Sequence, residues 1–518
     1  MKTPGGGSPC FDVREFGAAG DGKSNDTAPI QRAIEACAQS GGGLVRVHNG
    51  TFLTGTLVLR SHVELHLTST ARLVGVTDLS LYHRDKKMPY HLINRSLIYA
   101  EGCENIAVTG RGTIDGQGDV LRQALERAHG ERWWPAAEWS ERAVLIRLRD
   151  CRNVRIEGVR LTNSGAFAVH PIHCRQMRIE GLRIDNRGMP NNDALDVDGC
   201  QDVFISNCNI SSGDDSIALK TIEPGLACRD VVITNCILSS DCAAIRVGPD
   251  AVADIERVTV SNCVIRDTKL NGIKIQEAFG AVMRDMVFSN IVMDNVSGPI
   301  SIRVAGWAVS AESPWAVLDD SKWESGQLRN ILFENIRARA RADYVKSGMF
   351  ITGTPRTQPR QITFSNIDIT FSGGGTAAEA ARRDVPDLER TYPEIYIFGV
   401  LPAYGLYVHH ATGITLNNVQ FHLESEDLRP AIVCDDVQDL DLAGFNAEGH
   451  PQADSLIRLQ NTQRAFITGS RALNPIGTFV RVEGPESRGI GLSGNSLDFA
   501  RQTVEIAGPL PPDVVSER

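Results

Sequence analysis

Through the middle of the chain, apolar and polar side chains alternate in short runs, as in Val258-Thr259-Val260 and Ile273-Lys274-Ile275, and Gly and Asn punctuate the runs. Period two belongs to a strand with one buried face, not to a helix. One phrase recurs: Cys151-Arg152-Asn153-Val154-Arg155-Ile156, then Cys174 to Ile179, Cys200-Gln201-Asp202-Val203-Phe204-Ile205 and Cys228-Arg229-Asp230-Val231-Val232-Ile233. Successive cysteines lie 23, 26 and 28 residues apart. Later copies end in Asn plus Cys or Ile, at Asn207, Asn235, Asn262 and Asn290, with degenerate copies at Asn335, Asn366 and Asn418. About a dozen copies at this interval mark a solenoid rather than a string of separate domains.

Short strands returning at that period, with no helical stretch between them, predict an all-β right-handed parallel β-helix that advances by one strand spacing, about 4.8 Å, per coil. Asn at a repeated turn is expected to form a ladder, because it tolerates a left-handed backbone and its amide can bond the next rung. Cys208, Cys236 and Cys263 are expected to stack as small inward hydrophobes. Residues 11–38 read as the cap of the open end. They carry a strand over Phe11–Phe16, a Gly20–Gly22 turn, and a helix opened by Asn25-Asp26 with Ile30, Ala33, Ile34 and Cys37 on its apolar face.

On this reading residues 1–518 form one β-helix domain interrupted by insertions at 117–142, 305–328 and 373–410. The first two insertions hold all six tryptophans, Trp133, Trp134, Trp139, Trp307, Trp315 and Trp323, and the third holds Tyr392, Tyr396, Tyr404 and Tyr407. Such rings either stack on sugars beside a groove or pin the loops to the solenoid wall, and the pattern alone leaves both open.

Composition narrows the class. With 42% hydrophobic and 22% charged residues the chain is too apolar for disorder. Its 53 basic against 63 acidic residues give a net charge of −10, which offers no bulk attraction to nucleic acid or an anionic membrane. No apolar run is long enough for a membrane-spanning helix, and the first thirty residues lack the pattern of a signal peptide. Twelve cysteines in 518 residues, with no CxxC pair, suggest neither a disulfide framework nor a metal site.

The chemistry concentrates in two adjacent coils. Asn191-Asn192-Asp193 is followed, twenty-one residues after Asp193, by Asp214-Asp215 within Ser212-Gly213-Asp214-Asp215. One coil apart means one rung apart, so the three carboxylates are expected on one face within about 5–10 Å. At that distance at least one carboxyl should keep its proton, and a protonated acid beside an ionised one can cleave a glycosidic bond. A calcium site or solvated turn aspartates are the alternatives.

In order and spacing, the Asn191-Asn192-Asp193 and Gly213-Asp214-Asp215 motifs resemble those of glycoside hydrolase family 28, the polygalacturonases and rhamnogalacturonan hydrolases. The likeness extends to the cap around Gly20–Asn25 and to His170-Pro171, and so covers roughly residues 11–300. It implies a right-handed parallel β-helix and inverting hydrolysis without a cofactor or metal. By the same resemblance Asp214 is the general acid, Asp193 and Asp215 activate the attacking water, and His170 and Asn192 bind substrate. It also implies an exported enzyme.

The departures concern substrate binding. Where the family carries Gly-His-Gly this chain has Cys242-Ala243-Ala244, and where it carries Arg-Ile-Lys this chain has Lys274-Ile275-Gln276. Lys cannot replace the fork of a guanidinium, and Gln carries no charge. Alternation turns Arg246, Lys274 and Arg303 outward at intervals of 28 and 29 residues, which predicts a basic row, with Gln276 beside it, for an acidic or heavily hydroxylated sugar. Its alternative is charge pairing with the chain's own acids.

The expected function is therefore an inverting hydrolase of a pectin-type or related plant polysaccharide or oligosaccharide, differing from a standard polygalacturonase. A β-helix polysaccharide lyase, or a carbohydrate-binding solenoid without catalysis, are the competing readings. Whether such an enzyme cuts within chains or at their ends depends on whether the insertions close the groove. No nucleic-acid or membrane partner is expected, and oligomeric state is not legible.

Overall fold

The alternating runs pair in parallel at equivalent positions of successive coils. Val154 pairs with Met177, Met177 with Val203 and Val203 with Val231, so the spacing of the cysteine phrase is the length of one coil. The computed structural model describes residues 9–87, 93–130, 142–310, 318–341 and 348–517. Its strands build a right-handed parallel β-helix, organised as two compact units. The first runs up to Cys242; the second comprises Ala243–Val309 and the chain from Leu318 onward.

In the first unit the inward positions form apolar columns. Ile156, Ile179, Ile205 and Ile233 lie one above another and are wholly buried. Each such side chain contributes about 1.5–3 kcal/mol relative to exposure. In the second unit the column Phe288–Phe333–Phe364 stacks near-parallel with 5.0 Å between successive ring centroids, close to the rung spacing.

The asparagine ladder runs as the repeat suggests. Asn290 donates to Asn262 at 3.2 Å, Asn335 to Asn290 at 3.0 Å, Asn366 to Asn335 at 2.6 Å and Asn418 to Asn366 at 3.1 Å, each from Nδ2 to Oδ1. All five are left-handed, with φ of 52–55°. Cys208, Cys236 and Cys263 are buried, and all twelve cysteines are free thiols.

The cap helix spans Thr27–Gln39 and buries Ile30, Ala33, Ile34 and Cys37. Asp26 does not cap it with its side chain. Its carboxylate instead accepts from the Ala19 and Gly20 amides, fixing the preceding turn, while Asn25 Oδ1 accepts from Thr27 N at 3.0 Å. The strand expected over Phe11–Phe16 is shorter, Cys10–Asp12, and gives way to a 3-10 turn over Val13–Phe16. Asp12 forces this break by accepting from the Arg14 amide at 3.0 Å.

The first insertion contains a helix, Gly118–His129, that the strand-period reading did not include. It packs through Leu121 and Leu125 onto Met189, just before the Asn191-Asn192-Asp193 motif. Within the 305–328 and 373–410 insertions Trp323, Tyr404 and Tyr407 are buried and so pin their loops, Trp307 and Tyr392 are half-buried, and Tyr396 is exposed. Trp133, Trp134, Trp139 and Trp315 lie outside the described residues.

Candidate active site

In the first unit the strand Leu195–Asp198 pairs with Ile217–Thr221, Leu195 facing Ile217 and Asp198 facing Lys220. This register continues one residue earlier, where Ala194 N donates to Asp215 O at 2.9 Å. Asp193 and Asp215 therefore occupy equivalent positions of neighbouring coils, with Asp214 one residue before Asp215. Asp193 and Asp215 are buried, whereas Asp214 is partly accessible. Carboxyl oxygens of Asp214 and Asp215 and the Cys242 sulfur come within 4.8 Å of one another. These acids are not solvated turn residues.

The backbone beneath them is held by buried polar side chains. Asn186 Nδ2 donates to the Asn192 and Asp193 carbonyls at 3.0 and 3.3 Å, and its Oδ1 accepts from Ser164 N. The Asp214 carbonyl accepts from the Ser212 and Ser240 hydroxyls at 2.7 and 2.6 Å. Arg142 Nη1 donates to Pro190 O at 2.6 Å, securing the turn that leads into Asn191, whose φ is 50°. Gly213 sits against the buried Asn192 so closely that a Cβ there would lie 2.3 Å from Asn192 Oδ1. Neither amide atom of Asn192 finds a hydrogen-bond partner among the described residues.

Two further aspartates complete the constellation. Asp196 and Asp198, alternating with Leu195 and Val197 just after Asp193, are fully buried, and Lys220 joins them, with Nζ 2.9 Å from Asp196 and 3.4 Å from Asp193. The same ammonium lies 4.9 Å from the centre of the Phe167 ring. Burial, reinforced by the charge of Asp193, pushes the Asp196 carboxyl well above its ordinary range. Burial likewise lifts Asp198 to about 7, against the pull of the Ile222 amide. Arg142 is brought down to about 9 by burial, although Asp193 and Asp214 both favour its charged form. The site thus combines several acids with few cations, and part of its carboxyl set holds protons near neutrality.

His170 is buried one coil earlier. Its Nδ1 lies 3.3 Å from Arg147 Nη2, and since a guanidinium only donates, the ring proton sits on Nε2, 3.5 Å from Asp198. Burial and the neighbouring Arg147 charge hold its pKa well below the usual histidine value. A neutral His170 therefore buttresses Asp198.

Arg246, Lys274, Gln276 and Arg303 belong to the second unit. Arg246 stacks on Lys274, but Arg303 pairs with Gln276, not with Lys274, because the register slips between Thr268 and Asn271. The expected single row of three cations is thus stepped. All four side chains are buried under residues 387–398 of the third insertion. Arg246 donates to the Tyr392 hydroxyl at 2.6 Å, and Lys274 Nζ lies 2.8 Å from both Glu394 oxygens. Gln276 donates to Pro393 O, and Arg303 to the Asp387 and Leu388 carbonyls at 2.8 and 2.7 Å.

Asp196, Asp198, Lys220, Arg142 and Asn186 received no role from the sequence. Alternation in Leu195-Asp196-Val197-Asp198 and Ile217-Ala218-Leu219-Lys220 carries the signal for the first three, since it turns both aspartates and the lysine out of the coil together. Nothing local marks Arg142 or Asn186.

The family model for glycosyl hydrolases family 28 matches residues 37–386. The chain belongs to this family. Family 28 membership makes it a glycoside hydrolase. Over 364 residues it is 28% identical to a probable polygalacturonase of Vitis vinifera, covering 65% of the chain and 71% of that protein. An endo-polygalacturonase of Pectobacterium carotovorum subsp. carotovorum is 24% identical over 366 residues, 67% of the chain and 85% of that protein. Among solved structures the family 28 exopolygalacturonase of Yersinia enterocolitica shares the fold at a TM-score of 0.68 and 20% identity, over 86% of this chain and 80% of that one.

Proposed function

We propose that this family 28 hydrolase cleaves a glycosidic bond of a pectin-type polysaccharide or oligosaccharide by direct displacement with water. Asp214 gives its proton to the leaving oxygen, and Asp193 with Asp215 draws the proton from the attacking water. The observation that carries this reading is the register that sets Asp193 on Asp215, with Asp214 beside it as the accessible member. A base must be ionised, and Lys220 and Arg142 supply positive charge beside Asp193. An acid must meet the substrate, which suits the one carboxyl left partly open. The polygalacturonase names of the relatives support a pectic substrate.

Ordinary galacturonate recognition is not part of the proposal. The cations at 246, 274 and 303 are occupied by the chain's own Tyr392, Glu394 and backbone carbonyls, so substrate selection rests on other contacts. Asp214 and Asp215 approach within 4.8 Å, closer than the about 6.5–9.5 Å usual between the acid and base of inverting enzymes. Asp193 therefore takes the larger share in holding the water. Pectin fractions and defined oligosaccharides, with products resolved by length and anomer, test the proposal. New reducing ends of inverted configuration support it, and calcium-dependent unsaturated products would replace it with a lyase.

A further inference from the structure

The second unit gathers another set of ligating side chains, none with a part in the proposed hydrolysis. His409 and His410 are consecutive, yet their rings stack at 3.9 Å with 23° between planes. Neighbouring strand residues ordinarily face opposite ways, and the left-handed backbone at His410, φ 50°, turns its ring to the side of His409. Asp387 Oδ1 lies 3.0 Å from His410 Nε2 and 3.9 Å from His409 Nε2. On the next coil Asp435, paired in register with His409, brings Oδ2 within 3.7 Å of His409 Nε2.

Tetrahedral zinc, with bonds of about 2.0–2.1 Å, holds its donor atoms about 3.3 Å apart; the donors of Asp387, His409 and His410 all lie within 4.8 Å of one another, and Asp435 reaches the set through His409. Two imidazoles with two carboxylates are a donor set that suits zinc, and the two negative charges are cancelled by one divalent ion. An outer carboxylate is in place as well. Asp436 Oδ2 accepts from His410 Nδ1 at 2.6 Å, so Nδ1 keeps its proton, and the Nε2 proton that otherwise goes to Asp387 at 3.0 Å is the one an incoming ion would displace. We propose that Asp387, His409, His410 and Asp435 form a zinc-type divalent metal site that fastens the segment 387–398 to the strands of the second unit. Asp387 also accepts from Arg303 through its carbonyl. A metal there would therefore secure the same segment that covers Arg246 and Lys274.

The test uses the full chain stripped with chelator. Zn²⁺ titrated calorimetrically should bind at one site per chain and raise Tm, and Co²⁺ should give the intense visible bands of a tetrahedral centre. Asp436→Asn should weaken Zn²⁺ by about 10–100-fold, and His410→Gln should abolish binding and the Zn²⁺-dependent rise in Tm, beyond any fall in the metal-free Tm from the lost pairs with Asp387 and Asp436. Should a histidine variant fail to fold, Asp387→Asn, at a partly exposed position, must weaken Zn²⁺ at least tenfold. Absence of binding by the intact chain overturns the proposal, since His409 and His410 then merely pair with their aspartates. Binding that survives Asp387→Asn and His410→Gln also overturns it, by placing the ion elsewhere, such as at Asp214, Asp215 and Cys242.

Discussion

Glu394→Ala isolates what the covering segment does for the second unit. Lys274 is wholly inaccessible and Glu394 nearly so, with 2.8 Å from the ammonium to each carboxylate oxygen. At an effective dielectric of about 20 this separation corresponds to about 6 kcal/mol of attraction. Desolvation of both ions offsets most of it, so the pair is worth little relative to apolar residues of the same shape, but orphaning one buried charge costs about 3–5 kcal/mol. Urea unfolding of Glu394→Ala should therefore show a loss of about 3 kcal/mol, with faster tryptic cleavage at Arg382, Arg383 or Arg390 as the segment lifts. The double variant Lys274→Met/Glu394→Leu should recover most of the loss, because neither charge of the pair is left without the other. A single variant within about 0.5 kcal/mol of the parent, or a double variant as unstable as the single, would refute the reasoning.

Three further outcomes follow from the site and scaffold. Asp198 is raised from its ordinary carboxyl value to about 7. It therefore contributes stability that is complete below about pH 4 and is lost as pH rises through 7, and Asp198→Asn should flatten that part of a pH series of urea midpoints. A profile as steep as the parent's would place the titration elsewhere. Gly213→Ala should drive Asn192 off its position, costing about 1–3 kcal/mol in thermal unfolding and a larger share of activity; an unaffected variant would mean the turn has slack. Asn335→Ala breaks two rungs of the ladder and replaces a residue that tolerates the left-handed backbone with one that does not, for a loss of about 2 kcal/mol by urea unfolding. Asn335→Gly should restore the backbone part alone, and equal losses would assign everything to the amide.

The scaffold was legible because its stabilising units recur. The cysteine phrase and the asparagines up to Asn290 state nearly the same coil length, so the coil-to-coil pairing of Val154, Met177, Val203 and Val231 follows from counting residues, whereas the ladder beyond Asn290 rests on the recurring turn motif, since its steps there lengthen to 45, 31 and 52 residues. Asp193 and Asp215 came together for the same reason. The helix Gly118–His129 was hidden because an insertion obeys no period and offers only Leu121 and Leu125 as a buried stripe. The stepped position of Arg303 was hidden by one slip of register after Thr268, which counting along the chain cannot detect. Alternation did turn Arg246 and Lys274 out of the coil. What covers them comes from Tyr392 and Glu394, well over a hundred residues away, and no local pattern encodes that contact.

The role given to Asp214 is tested most directly by the rate of reducing-end release from a pectic substrate by Asp214→Asn, measured beside the parent at saturating substrate and at the parent's optimal pH. The variant keeps the shape of the site and removes the proton donor, so the predicted fall is about 10²–10⁴-fold, with KM little changed. A rate within about tenfold of the parent would contradict the assignment of the acid and, with it, the account of how this coil pair cleaves a sugar linkage.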